Sequence, residues 1–140
     1  MHIPPKNTYL FTAIAALIML ILSGCQKSPI NGDLDGQWQV MEVAPKAPEI
    51  IVDQRLYVCF SLHTVQLTYY GDGPWTSGNI LKFDDNELVL EFPYADSDRS
   101  VALLRQYGIY SNPVTFSIEH LDSKKLILRD GATVVTLRKF

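Results

Sequence analysis

Residues 114–140 read VTFSIEHLDSKKLILRDGATVVTLRKF. Apolar and polar side chains alternate through residues 114–121, and this period of two is typical of a strand that buries one face. The polar turns Asp122-Ser123 and Asp130-Gly131 interrupt the pattern twice. Asp-Gly between two strands is a strong hairpin signal, because Gly tolerates the positive φ that a tight turn needs. The stretch therefore predicts a meander of antiparallel strands.

The same alternation recurs towards the N-terminus. Leu88–Phe92 follows the polar turn Asp84-Asp85-Asn86, which in turn follows the apolar segment Ile80–Phe83. Several short strands at close spacing are typical of a β-sandwich or a β-barrel. The predicted strands are Gln37–Val43, Ile80–Phe83, Leu88–Phe92, Val114–Leu121, Leu126–Arg129 and Thr133–Phe140.

One segment carries helix signals instead. Ser97 can accept a hydrogen bond at a helix N-terminus, and Asp98 suits the positive end of the helix dipole. Leu103 and Tyr107 share a face at a spacing of four residues. Gly108 stands where helices often end in a left-handed conformation. We therefore predict one short helix between two strands.

The stretch Arg55–Tyr70 leaves two alternatives open. Its apolar positions change phase near Ser61–Thr64, which requires either a bulge or a turn. No Gly, Pro, Asn or Asp lies there, and this favours one long bulged strand. A closed up-and-down barrel needs an even number of strands, however, and a hairpin at this point makes eight strands instead of seven. We expect eight, which places the helix at the end of the barrel opposite Trp38, whereas one long strand would place it at the same end.

The N-terminus has the layout of a secretory signal. Lys6 precedes the apolar run Leu10–Leu22, which is shorter than the roughly 20 residues of a spanning helix. The run ends in Leu22-Ser23-Gly24-Cys25, which resembles the bacterial lipobox, where the cysteine is acylated and the chain is cut just before it. The resemblance implies a signal peptide at 1–24, a lipidated N-terminus and tether at 25–34 and a folded domain at 35–140.

Length, net charge and cysteine count limit the size of the domain and the kinds of partner that it can bind. Removing the first 24 of 140 residues leaves 116, enough for one domain, with a net charge of −4 because Lys6 is lost from a total of −3. No basic stripe or aromatic-basic interleaving is present, and we predict no nucleic-acid partner. Cys59 is the one thiol besides Cys25, so the folded domain has no internal disulfide.

The sequence offers no recognisable catalytic or metal-binding constellation. The motifs Gly-x-Ser-x-Gly and His-Glu-x-x-His do not occur. Asp84, Asp85 and Glu87 gather at a hairpin tip, where Asp is favoured because it hydrogen-bonds the nearby backbone. His63 and His120 lie in separate strands without an identifiable partner. We therefore predict a protein that is not an enzyme, with no catalytic residue, no metal site and no cofactor.

The start of the domain carries a family resemblance. In Leu34-Asp35-Gly36-Gln37-Trp38, the Gly-x-Trp pattern at the first strand resembles the lipocalins. The resemblance implies an all-β fold: an antiparallel, up-and-down, lipocalin-like barrel of about eight strands with one short helix. It also implies that Gly36 and Trp38 form a structural signature. Trp38 would plug one end of the barrel under a basic residue of the last strand, for which Arg138 is the candidate.

The whole chain is similar to short lipocalin-like lipoproteins of gut Gram-negative bacteria. The segments that carry this similarity are Leu34–Trp38, Tyr57–Phe60, Tyr107–Ile109, Phe116–Leu121 and Lys125–Leu128. The similarity implies a lipid-anchored protein of the cell envelope, attached to a membrane through Cys25. Gln26 is not the aspartate associated with inner-membrane retention, and the residues after it lack an acidic export cluster. We therefore expect the outer membrane, facing the periplasm.

Two functions remain open. Lipocalins generally hold a small apolar ligand, which implies a binding protein for a small apolar or amphipathic molecule, with Phe60, Trp75, Phe92 and Phe116 as candidate contacts. The chain is shorter than most lipocalins and lacks their disulfide, which favours the alternative of a barrel filled with side chains. That alternative is a structural or interaction lipoprotein, and an envelope protein partner would bind loops near Trp75 and Ala44–Ile51.

Overall fold

The computed structural model describes residues 5–23, 30–46, 55–69 and 74–140. In these ranges, eight strands form one closed antiparallel barrel in which each strand pairs with the next and the last with the first. The strands are β1 (Gly36–Ala44), β2 (Leu56–Ser61), β3 (Thr64–Tyr69), β4 (Trp75–Phe83), β5 (Glu87–Glu91), β6 (Val114–Leu121), β7 (Lys125–Asp130) and β8 (Thr133–Lys139). The helices are α1 (Lys6–Ser23) and α2 (Asp98–Gln106), and a short 3₁₀ helix spans Gly32–Leu34. The predicted eight-stranded barrel is confirmed.

The open question between one long strand and a hairpin is settled in favour of the hairpin. β2 and β3 pair from Leu56 with Tyr69 to Ser61 with Thr64, joined by a turn at Leu62 and His63. Leu62 adopts a φ of 56°, a region that usually favours Gly or Asn. Its carbonyl accepts a hydrogen bond from Asn31 Nδ2 at 2.7 Å, and the carbonyl of His63 accepts one from the Ile80 amide at 2.8 Å. Contacts from other segments thus support a turn that has no turn residues of its own.

The eight-strand count determines which turns and helices lie at each end of the barrel. One end, the Trp38 end, carries the start of β1 and the turns around His63, Asn86 and Ser123. The other, the helix end, carries α2 and the turn around Gly131. The Tyr107 hydroxyl, just after α2, donates a hydrogen bond to the carbonyl of Thr68 near the far end of β3 at 2.8 Å. The helix therefore lies opposite Trp38, as an eight-stranded barrel predicts.

Local capping explains both ends of α2. The Ser97 side chain accepts a hydrogen bond from the Ser100 amide, which caps the N-terminus. At the other end, the amides of Gly108 and Ile109 donate to the carbonyls of Arg105 and Leu104 at 3.0 and 3.1 Å, with Gly108 at a φ of 76°. This is the Schellman arrangement, which satisfies the last carbonyls of a helix. It also turns Ile109 into the barrel core.

The core begins earlier in the chain than the sequence analysis expected. Leu34, assigned there to the tether, is fully buried, and its carbonyl accepts a hydrogen bond from the indole nitrogen of Trp38 at 2.8 Å. Asn31 also belongs to the folded part, because its amide groups donate to the carboxylate of Asp35. The 3₁₀ helix thus closes the Trp38 end of the barrel, and Leu34 anchors it by packing in the core.

The N-terminal helix α1 is separate from this core. Every described side chain of α1, from Lys6 to Met19, is exposed. Within the ranges that the structure describes, no helix combines the length and the apolar character needed to cross a bilayer. The lipobox residues Gly24 and Cys25 lie outside the described residues, so the signal peptide and the lipidation site stay predictions.

Candidate functional site

The inside of the barrel is filled by side chains. Phe60, Phe92 and Phe116, predicted as ligand contacts, are all buried in the core. The interior space bounded by the described residues amounts to about 20 Å³, lined among others by Phe60, Phe116 and Tyr107. Ligand pockets for small molecules usually measure about 300–1,000 Å³, and one water needs on the order of 10–15 Å³. Phe60, Phe92 and Phe116 therefore pack the core, and the space beside Phe60 and Phe116 is far smaller than a ligand pocket.

The Trp38 end is closed by a cation over an aromatic ring, but the cation is not the predicted one. Lys139 Nζ lies 4.4 Å from the centre of the Trp38 ring. It also donates hydrogen bonds to the carbonyl oxygens of Asp33 and Asp35. Burial lowers the pKa of Lys139, and the nearby charges of Asp33 and Asp35 act against this shift. This ammonium group ties the 3₁₀ helix, the first strand and the last strand together.

The prediction for Arg138 is therefore wrong. Trp38 pairs directly with Lys139 in the register of β1 and β8, so the two side chains share the inner face. Arg138 pairs with Gln39, and its guanidinium donates to Gln39 Oε1 at 2.8 Å on the outer face. The alternation of β8 contained the missing signal, because Lys139 continues the buried series of Val135 and Leu137.

The helix end offers space that the interior lacks. A groove of about 310 Å³ opens between α2 and the rim of the barrel. Next to it, a hollow of about 380 Å³ extends along α2 to Trp75 and shares part of its lining. We call the two together the rim groove. Its lining residues are Leu56, Tyr69, Pro74, Trp75, Arg99, Ser100, Ala102, Leu103 and Gln106.

The chemistry of the rim groove is mainly apolar with a cationic border. Leu56 and Leu103 are buried side chains at its floor, and Ala102 presents a methyl group from α2. Arg99 supplies a positive charge to both parts of the groove. Arg55 stands over the ring of Tyr69, with 5.2 Å between the guanidinium carbon and the ring centre. An apolar floor beside guanidinium groups suits a molecule with an apolar body and an acidic group.

Trp75 lies at this groove, but not in the position expected from the sequence. The turn residues Gly71-Asp72-Gly73-Pro74 predict a loop that includes Trp75, whereas Trp75 is the first residue of β4 and pairs with Thr68. Its side chain is 65% exposed, so it does not fold over the barrel end. Residues 70–73 of that predicted loop, like residues 47–51 of the loop Ala44–Ile51, lie outside the described residues. The exposed indole thus adds apolar surface beside the groove.

Several groove residues were missed by the sequence analysis. Ala102 and Leu103 were considered only as part of a helix, and Leu56 only as part of a strand.

Gly78, which does not line the groove, was missed as well. A Cβ atom there would stand 2.2 Å from the carbonyl oxygen of Glu91 and 2.8 Å from the Phe92 ring. Such a close approach between strands depends on tertiary packing, and no local pattern in the sequence predicts it.

The acidic turns act as the sequence predicted. Asp84 Oδ1 accepts from the amides of Asn86 and Glu87, and Asp122 Oδ1 accepts from those of Lys124 and Lys125. The pKa of Asp122 is lowered to about 2. The largest cause is the hydrogen bond from the Lys124 amide, followed by the bond to His120 at 2.7 Å and the bond from the Lys125 amide. No group of three or more His, Cys, Asp or Glu residues suited to a metal ion occurs in the described part of the chain.

A closed barrel of eight antiparallel strands, with a helix at one end and a Trp-cation pair at the other, defines a lipocalin-type β-barrel protein. The family model described as "Lipocalin-like domain" matches residues 20–140, and the chain belongs to this lipocalin-like family.

Two solved structures share the fold. A lipocalin-like protein from Bacteroides uniformis ATCC 8492 is 22% identical, with a TM-score of 0.60 over 78% of this chain and 100% of that chain. An uncharacterized protein from Bacteroides eggerthii DSM 20697 is 20% identical, with a TM-score of 0.58 over 76% of this chain and 99% of that chain. No curated protein matches the sequence.

Proposed function

We propose that this protein is a lipid-anchored binding protein of the bacterial cell envelope that holds a small amphipathic ligand in the rim groove. One observation carries the choice of site: the rim groove offers about 310 Å³ over an apolar floor beside Arg99, whereas the barrel interior offers about 20 Å³. A hollow of about 570 Å³ at the Trp38 end is lined by the acidic residues Asp33, Asp85 and Glu119 and does not suit an acidic ligand. The ligand has an apolar body, which packs on Leu56 and Leu103, and an acidic group, which pairs with Arg99. The barrel then serves as a rigid support, and the protein has no catalytic activity.

The lipid anchor rests on Leu22-Ser23-Gly24-Cys25 and on the position of α1. A helix whose described side chains are all exposed contributes nothing to the barrel, which supports its role as a removable signal peptide. Acylation of Cys25 would attach the domain to a membrane, and Gln26 favours the outer membrane, with the barrel facing the periplasm. Mass spectrometry of the protein extracted from membranes tests this part: an unmodified Cys25 would refute the anchor.

A pair of variants on α2 tests the ligand site. Ala102 lines the rim groove, whereas its neighbour Val101 is exposed and does not. We expect Ala102→Trp to fill the groove and to abolish binding of 1-anilinonaphthalene-8-sulfonate, an aromatic probe with an acidic group. Val101→Trp adds the same ring to the same helix and should leave binding unchanged. Equal binding by both variants, measured by fluorescence titration, would show that the probe sits elsewhere.

Trp75 favours a second candidate function. Its 65% exposed ring, at the same end of the barrel, is suited to contact with an envelope protein, and a side-chain-filled barrel is a suitable scaffold for that role. Pull-down of cross-linked envelope extracts separates the two functions. Loss of one stoichiometric partner on Trp75→Ala, with no amphipathic ligand bound by the wild type, would favour the interaction protein.

A further inference from the structure

The described chain begins, after the predicted lipid site, at one particular end of the barrel. Ile30 is the first described residue after Cys25, and Asn31 fastens this point to the Trp38 end through hydrogen bonds to Asp35 and to the carbonyl of Leu62. From this attachment we propose that the Trp38 end rests on the membrane surface, with Ile30 and Leu62 in contact with the lipid headgroups. The inference rests on the lipid anchor proposed above.

The length of the tether limits the orientation. Five peptide steps separate Cys25 from Ile30, and such a segment spans at most about 18 Å when fully extended. The nine residues of β1 cross the barrel at a tilt, which gives a height of roughly 20 Å, and α2 adds about 10 Å at the far end. The tether is therefore too short to run past the barrel and bring the helix end to the bilayer.

The Trp38 end has suitable side chains beside the tether. Ile30 is 55% exposed and Leu62 is 61% exposed, and the hydrogen bond from Asn31 to the Leu62 carbonyl keeps the two segments together. Leu62 occupies a left-handed turn position with a φ of 56°, where Asn or Gly would be less strained. An exposed Leu at a position that disfavours it is explained if its side chain contacts lipid.

The charges around this contact are mixed. Lys82 pairs with Glu87 at 2.7 Å, and the ring of His120 forms a hydrogen bond of 2.7 Å with the carboxylate of Asp122, both at the turns of the same end. With cations and anions interspersed, the end has no strong attraction for anionic lipids. The contact is therefore apolar, and it should depend little on salt concentration.

The orientation has a functional consequence. The rim groove and Trp75 point away from the membrane to which the protein is attached. A ligand or partner therefore reaches them from the aqueous side, and the groove does not take lipid directly from the supporting bilayer.

Fluorescent labels at the two ends of β7 test the orientation. In the acylated protein with Cys59→Ser, single cysteines are introduced by Ser123→Cys at the Trp38 end or Ala132→Cys at the helix end, both in exposed turns. The protein is reconstituted in vesicles of phosphatidylethanolamine and phosphatidylglycerol that contain a headgroup nitroxide quencher. We expect several-fold stronger quenching at position 123 than at position 132, with little effect of salt. Equal quenching, or stronger quenching at position 132, would overturn the proposal.

Two Leu variants test the contact itself. Leu62→Asn suits the left-handed turn and should fold, yet it should reduce quenching at position 123. Val101→Asn is the matched control, because Val101 is an exposed apolar residue of α2, at the helix end of the barrel. Equal quenching in Leu62→Asn and in the wild type would refute the headgroup contact. Acylation is verified first by mass spectrometry, and probe binding in the rim groove is measured separately, so a failed orientation is distinguishable from a failed anchor or ligand site.

Discussion

Replacing Lys139 by Met should destabilise the barrel more than replacing Arg138 by Met. The two residues are neighbours in β8, and Met keeps the length of an aliphatic side chain while removing the charge. Lys139 lies over Trp38 and donates to two backbone carbonyls, whereas Arg138 bonds the side chain of Gln39 on the outer face. The comparison therefore isolates the cation that closes the Trp38 end.

The magnitude follows from these contacts. A cation over an indole ring contributes about 0.5–2 kcal/mol, and hydrogen bonds from a charged group contribute about 1.5–3 kcal/mol. Burial of the ammonium acts in the opposite direction, as the lowered pKa of Lys139 indicates. We expect Lys139→Met to lower the free energy of unfolding by about 2 kcal/mol, or roughly 8 °C in Tm for a domain of this size. Arg138→Met should cost about 1 kcal/mol, because it removes one neutral-acceptor hydrogen bond, to the part-buried side chain of Gln39.

Denaturant unfolding of both variants measures this difference. A second readout is the emission of Trp38 in a Trp75→Phe background, which leaves Trp38 as the one indole in the chain. Lys139→Met should change the Trp38 spectrum, and Arg138→Met should not. If Arg138→Met were as destabilising as Lys139→Met, or altered the Trp38 emission equally, the assignment of Lys139 as the closing cation would be wrong.

Three further predictions concern close approaches and turns. Gly78→Ala should cost at least about 3 kcal/mol or prevent folding, because the added Cβ would stand 2.2 Å from the carbonyl oxygen of Glu91; circular dichroism and thermal unfolding measure this. Gly108→Ala should destabilise more than Gly131→Ala in denaturant unfolding. Both glycines have positive φ, which costs about 1 kcal/mol for Ala, but only Gly108 has a neighbouring side-chain atom 2.6 Å from the added Cβ. Asp122 has a folded-state pKa of about 2, below its ordinary 3.8, so its contribution to stability is present above about pH 4 and is lost as the pH falls towards 2. Asp122→Asn should therefore flatten the dependence of the unfolding free energy on pH in that interval, and an unchanged slope would contradict the pKa shift.

The local patterns of the chain determined much of the fold. The alternation of residues 114–121, the Asp-Gly turn and the Ser97 and Gly108 caps each predict an element that the structure contains. These signals are readable because they depend on neighbours within a few residues, through hydrogen bonds to the local backbone and a period of two. The eight-strand count required one further argument, the even number of strands in a closed antiparallel barrel.

Tertiary structure decided what those local signals do not contain. The turn at Leu62 has no turn residue and is supported by Asn31 and Ile80, which are distant in sequence. The choice of Lys139 over Arg138 depends on the register of β1 with β8, and the filled interior depends on how Phe60 and Phe116 pack. The rim groove exists only because α2 folds across the ends of strands that lie far from it in the chain. Local sequence chemistry specifies the elements, whereas volumes, registers and surfaces between elements arise from packing.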